Sequence, residues 1–104
     1  MLAVTTLRRW PGMPDLPTMH EAGVPNFSIT QWHGMLALAK TPPAIVNKLS
    51  KEISRVLHQQ DVKERLAADG AAPVGGSPAE FGDHIRAEVE KYRKIVKAIG
   101  LKAE

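Results

Sequence analysis

The chain has no cysteine among its 104 residues. A disulfide framework, a zinc site held by thiolates and a cysteine nucleophile are therefore excluded, and the redox compartment stays open. Aromatic residues are also scarce, at 5%, but apolar residues reach 43% and charged residues 24%. That balance is typical of a globular chain and is too apolar for intrinsic disorder. At this length the chain is a single domain or a part of one.

Long apolar runs are missing as well. No stretch approaches the ~20 apolar residues that a membrane-spanning helix needs. The opening MLAVTTLRRW does not resemble a signal peptide, because its apolar run is short, its arginines follow that run, and no small-residue cleavage site comes next. A chain expressed as given is therefore expected to be cytoplasmic.

Positive charge is not concentrated in any region. The net charge of +3 and the pI of about 9.5 raise the question of nucleic-acid binding. Residues 1–40 carry three basic and two acidic side chains, residues 41–77 carry five and four, and residues 78–104 carry six and five. Each third is thus close to +1, and no basic stripe can follow a phosphate backbone. We expect a solvated surface of mixed charge and no nucleic-acid partner.

No catalytic or metal-binding constellation is present. The four histidines are far apart in sequence, and none pairs with another at a metal-ligand spacing. The chain also lacks a Gly-x-Ser-x-Gly elbow, a Walker loop and a dinucleotide fingerprint. The sequence therefore predicts no enzyme, no cofactor and no metal site.

The first 40 residues combine extended pieces with a stiff loop. Residues 2–5 form an apolar run that predicts a buried strand already under way, which suggests that the chain is a fragment. Three prolines then restrict the backbone, and Thr18 with Glu21 has the spacing of a capping box. A second strand is predicted over 27–40, with a change of phase at residues 32–34.

Three helices are predicted in the remainder of the chain, at about 42–58, 61–69 and 78–99. Thr41 is the expected cap of the first, and Ser77 with Glu80 forms a capping box at the third. Apolar residues recur along one face of the first and third helices, which favours α/β layering over a helix bundle. The charged residues expected on the solvated face of the third helix are Glu88, Glu90, Lys91 and Lys94.

Two groups of residues are candidates for binding a ligand. The first consists of short polar residues at a predicted strand end and in the stiff loop: Thr5, Thr6, Asp15 and Thr18. Ligands of open α/β sheets bind outside the carboxyl ends of strands, where hydroxyls and backbone N–H groups suit a carboxylate. Ordinary caps and turns would use the same residues. The second group, which fits either a cleft between lobes or a core tryptophan, is Trp32, His33 and Gly34.

The order of these motifs resembles one known family. LAVTTLRRWPGMPDLPTMHEAGVPNF is followed by a strand with Trp-His-Gly, by TPPAIV at a helix start, and by GAAPVGGSPAEFGDHIRAEVEKYRKIVKAIGLKAE. This order is similar to the C-terminal part of the tripartite tricarboxylate transporter substrate-binding proteins, also called Bug-type extracytoplasmic solute receptors. The resemblance runs from Leu2 to Glu104. Leu38 and Lys40 stand in a region where that family usually has a proline and a glycine.

The resemblance implies the C-terminal portion of a two-lobed periplasmic binding protein (type II) fold. Residues 1–26 would be a remnant of the second lobe, with the proline-rich loop as a wall of the ligand cleft. Residues 27–40 would be the crossover or hinge strand, and residues 41–104 the C-terminal part of the first lobe. Short strands packed by the three helices would make up the fold.

The resemblance also implies transport rather than catalysis. Receptors of this kind capture a small carboxylate in the periplasm and deliver it to membrane permease subunits. Because most of the family's chain is missing, we expect this one to be incompetent for binding alone. The residues also allow a self-associating α/β interaction module without a small-molecule ligand, because open strand edges and one-faced helices favour a homo-oligomer or a domain-swapped dimer.

Overall fold

The computed structural model describes residues 2–101. The helices in this range are α1 (Pro43–Leu57), α2 (Gln60–Ala68) and α3 (Pro78–Ala98). These bounds confirm the three predicted helices to within one residue at each end. Helix α1 contacts both α2 and α3.

Helix α3 begins and ends at the residues that its sequence signals predict. The Ser77 hydroxyl accepts a hydrogen bond from the Glu80 N–H at 3.2 Å, and the Glu80 carboxylate accepts one from the Ser77 N–H at 2.7 Å. At the other end Gly100 has φ of 67°, and the Leu101 N–H donates to the Val96 carbonyl at 3.1 Å. A left-handed residue closing a 6→1 bond is the usual C-terminal helix stop.

The predicted cap of α1 is wrong. The N-cap is Pro42, with φ −55° and ψ 137°, and Pro43 follows within the first helical turn. Proline has no side-chain acceptor, so this helix start has no side-chain capping bond. Thr41 lies one position too early to cap, and its N–H donates instead to the Leu38 carbonyl at 3.0 Å.

The predicted strands do not form a sheet within residues 2–101. Val4 and Thr18 make an isolated parallel bridge, and the Ile29 N–H donates to the Thr5 carbonyl at 3.0 Å. Residues 27–38 have no regular secondary structure. A strand is defined by hydrogen bonds to a neighbour, and the described residues offer no neighbouring run of sufficient length. Of the predicted α/β fold, the described residues therefore form the helices but not the strands.

No apolar side chain is buried in the part of the chain that the structure describes. Thr18, at 1% exposure, is the single buried residue there. The radius of gyration is 16.9 Å, whereas a compact domain of this length has about 13 Å. The accessible surface is 8892 Å², against about 5,800 Å² for a folded monomer of this mass. The apolar faces of α1 and α3 consequently lie open.

Candidate functional site

The proline-rich loop is held by one carboxylate. Glu21 Oε2 accepts hydrogen bonds from Arg9 Nε at 2.9 Å and from the Thr18 N–H at 3.1 Å. The Thr18 hydroxyl accepts in turn from the Glu21 N–H at 3.1 Å, which confirms the predicted capping box. Arg9 also donates to the Pro14 carbonyl at 3.1 Å. The two ends of the loop and its middle are thereby tied to one another.

These contacts set the ionisation of Glu21. The Thr18 N–H lowers the pKa of the Glu21 carboxyl, partial desolvation opposes that shift, and Arg9 adds to the lowering. A carboxylate whose folded-state pKa is depressed stabilises the fold above its ordinary pKa. That stabilisation is lost as the pH falls through the lowered value. The loop should therefore be tight at neutral pH and loosen in acid.

The first candidate group lies in and beside this loop, in different environments. The Thr18 hydroxyl is buried in the capping box, and the Thr6 hydroxyl donates to the Arg8 carbonyl at 2.6 Å. Thr5 and Asp15 are exposed, and neither side chain makes a hydrogen bond within residues 2–101. Thr5 thus offers an open hydroxyl, whereas the negative charge of Asp15 suits a donor group on a solute rather than its carboxylate.

The second candidate group lies against α3. The Trp32 ring meets Phe81 edge-on at 5.6 Å and His84 edge-on at 5.0 Å between centroids. Gly34 comes so close to the Phe81 ring that an added Cβ would overlap it. His33 is exposed. Within residues 2–101 no hydrogen bond joins residues 32–34 to the proline-rich loop, so the candidates form two clusters rather than one.

Glu88 is a partly buried charge that the sequence interpretation placed on the solvated face. Its side chain is 14% exposed, and Lys91 Nζ lies 2.5 Å from its Oε1. Lys91 lowers the pKa of the Glu88 carboxyl, although desolvation opposes the shift. The signal was available, because Glu88 follows Ile85 by three positions and precedes Tyr92 by four, which puts it on the apolar face.

A shallow apolar groove of about 600 Å³ runs beside this carboxylate along α3. Trp32 lines one part of it, and Val89 and Tyr92 line another. Residues 2–101 contain no group of three His, Asp or Glu side chains placed to share a metal ion. None of the described helices combines the length and the apolar character required to cross a bilayer.

Comparison with known proteins decides the family. The family described as "Tripartite tricarboxylate transporter family receptor" matches residues 1–101. The chain belongs to this family. Its members are periplasmic solute receptors and not enzymes, which confirms the family resemblance and the prediction of a non-catalytic protein.

Individual relatives show how much of a receptor this chain covers. Protein BugT of Bordetella pertussis is 33% identical over 101 residues, which are 97% of this chain and 31% of BugT. The "UPF0065 protein in tcbD-tcbE intergenic region" of a Pseudomonas strain is 36% identical over 96 residues, which are 91% of this chain and 29% of that protein. The chain therefore spans less than a third of the length of these relatives.

A solved structure provides the same match in three dimensions. It is described as "R. palustris Rpa4515 with adipate" and is 38% identical to this chain, with a TM-score of 0.82. The match covers 95% of this chain and 33% of Rpa4515. The helices and loop described above thus have the arrangement of one part of a periplasmic binding protein.

Replacing Glu21 with glutamine should loosen the proline-rich loop. The substitution removes the charge that Arg9 contacts and the titration that makes the loop pH-dependent. The hydrogen-exchange protection factors of the amides around Thr18 should be several-fold lower at neutral pH and should no longer fall as the pH is lowered. Glu52→Gln, which disrupts an exposed ion pair with Arg55 on α1, is the matched control. Equal effects of the two substitutions on the loop would contradict this account.

Replacing Gly34 with alanine should displace the Phe81 ring and release Trp32 from its edge contacts. Acrylamide quenching of Trp32, measured in a Trp10→Phe background, should increase. Gly82→Ala is the control, because its added Cβ would meet nothing nearer than Arg86 Nη1 at 3.6 Å. That substitution should stabilise α3 by roughly 0.5–1 kcal/mol through helix propensity. Unchanged quenching in Gly34→Ala would contradict the close packing.

Proposed function

We propose that this chain forms one wall of the carboxylate-binding cleft of a solute receptor. The receptor works in the periplasm and hands its solute to the membrane permease subunits of a tripartite tricarboxylate-type transporter. The observation that carries the proposal is the match of 95% of the chain, at a TM-score of 0.82, to a receptor structure described as being with adipate. Adipate is a dicarboxylate, so the solute class we propose is a small carboxylate.

The geometry of the proline-rich loop supports this role. A binding wall must hold its shape before the ligand arrives, since ordering a loop on binding costs affinity. The Glu21 carboxylate, with its bonds to Arg9 and Thr18, supplies that rigidity. The open Thr5 hydroxyl lies at one end of this unit and suits a carboxylate oxygen. The full set of ligand-binding candidates is Thr5, Thr6, Asp15, Thr18, Trp32, His33 and Gly34.

The lobes are assigned as part of the same proposal. Residues 1–26 belong to the second lobe, residues 27–40 cross between lobes, and residues 41–104 complete the first lobe. The hydrogen bonds that join Val4 to the loop support a common unit at the N-terminal end. The packing of Trp32 and Gly34 on α3 supports a passage of the chain toward the helices.

The chain alone is expected not to retain a solute. It spans a third of Rpa4515, and a small-molecule site normally buries most of its ligand between convergent walls. Self-association without a ligand is the second candidate, and the open apolar faces favour it. The two functions differ in whether a carboxylate or the protein concentration changes the stability of the chain.

A thermal melt with pooled mono-, di- and tricarboxylates should leave the midpoint of this chain unchanged. Saturation at about 100 times Kd would add about 2.7 kcal/mol and move the midpoint by roughly 10 °C or more. Rpa4515 with adipate is the positive control. A ligand-dependent shift would show that the chain binds by itself, and a midpoint that rises with protein concentration would favour self-association.

Transplanting this chain into Rpa4515, in place of the part that it matches, tests the cleft wall directly. The hybrid should bind adipate, and Thr5→Val within it should weaken binding by at least ~10-fold, because a hydrogen bond to a charged group is lost. Thr41→Val, at the start of α1, should leave the affinity unchanged. A hybrid that folds and binds adipate equally well with Thr5→Val would remove Thr5 from the site.

A further inference from the structure

We propose that the apolar face of α3, together with the groove beside Trp32, is the interface for the two thirds of a receptor of this family that this chain does not match. The proposal rests on the surface and on family membership, not on the proposed ligand. It holds whether that polypeptide is covalently joined or separate.

Helix α3 presents an apolar stripe that the described residues cover only in part. Val89 is 52% exposed, Tyr92 43% and Ile99 67%. The groove of about 600 Å³ continues this stripe toward Trp32. Ala87 and Glu90 lie on the other side of the helix, as their spacing from Val89 and Tyr92 requires. Most of the stability of a helix in a protein comes from packing its apolar face against another element.

The amount of open surface distinguishes a large partner from a second copy. The accessible area of 8892 Å² exceeds that of a folded monomer of this mass by roughly 3,000 Å². A standard protein–protein contact covers only about 800 Å² per partner, and even obligate dimers rarely cover this much. One further copy would leave a part of the excess exposed even at an obligate interface of about 1,000–2,500 Å² per partner, whereas a polypeptide twice as long can cover it.

The unpaired segment before α1 gives the same indication. Met35 is 76% exposed, Leu36 81% and Leu38 88%, and residues 27–38 form no strand. An extended apolar run whose backbone makes few hydrogen bonds within the described residues is suited to pairing with an added strand. A TM-score of 0.82 to one third of Rpa4515 indicates that the chain already has the shape it needs to receive such a partner.

The test uses this chain and the part of Rpa4515 that it does not match, coexpressed as two polypeptides. Size-exclusion chromatography with light scattering should show a 1:1 complex. Val89→Glu should weaken that complex at least ~10-fold, because a carboxylate that is solvated in the free chain would replace an apolar contact in the complex. Ala87→Glu introduces the same side chain on the other side of the helix and should have no effect. Both variants should keep the helix content of the free chain, since both positions are exposed in it.

Each outcome decides the proposal. A homodimer that persists in the presence of the complementary part, a monomer that ignores it, or equal loss with both variants would overturn the interface. If the complementary part does not fold alone, the covalent hybrid with Rpa4515 gives the second measurement. There Val89→Glu should lower the melting midpoint well below that of Ala87→Glu, and equal midpoints would overturn the proposal. If adipate binding is lost while the Val89-dependent complex still forms, the proposed carboxylate site would be wrong and the proposed interface would stand.

Discussion

An apolar helix face is buried only when a second apolar surface packs against it. Within residues 2–101 much of the apolar surface of α1 and α3 has no such surface against it. Val89 on α3 and Leu49 on α1, each 52% exposed, illustrate this. Apart from the contacts of α1 with its two neighbours and the packing of Trp32 on α3, the interactions within residues 2–101 are mostly local: the caps, the glycine stops and the i,i+3 ion pairs. Exposed pairs of that kind contribute at most about 1 kcal/mol each. The orientation of the helices therefore has little hydrophobic support from residues 2–101 themselves.

The proline-rich loop is subject to a different constraint. Its shape comes from polar bonds between residues at most twelve positions apart, centred on Glu21 and the buried Thr18. Such bonds do not require an apolar partner, so the loop is defined even where the helices lack a core. The geometry of the loop therefore does not depend on how much of the helix surface is covered.

The elements that could be predicted from the sequence are those whose cause is local. Helix α3 is fixed by Ser77 and Glu80 at one end and by Gly100 at the other, all within reach of a short sequence window. The prediction of strands was wrong, because a strand is held by hydrogen bonds to a neighbouring strand and residues 2–101 contain no run long enough to provide one. The helix faces were predictable from spacing, and the misplacement of Glu88 came from weighing its charge above its position.

The candidate site was harder to predict than the helices. Thr18 with Glu21 was visible as a capping box, but the contact of Arg9 with Glu21 spans twelve positions and carries no periodic signal. The approach of Trp32 to Phe81 and His84 spans about fifty positions along the chain and follows no pattern either. Side chains that meet through the fold can be named only once the fold is known.

The bridge between Val4 and Thr18 also bears on the order of folding. It closes a short loop, and short loops cost little chain entropy and form quickly, long before contacts between distant segments. The proline-rich unit can thus assemble while the helices still lack their cover. Little chain ordering then remains in this unit when contacts between distant segments form.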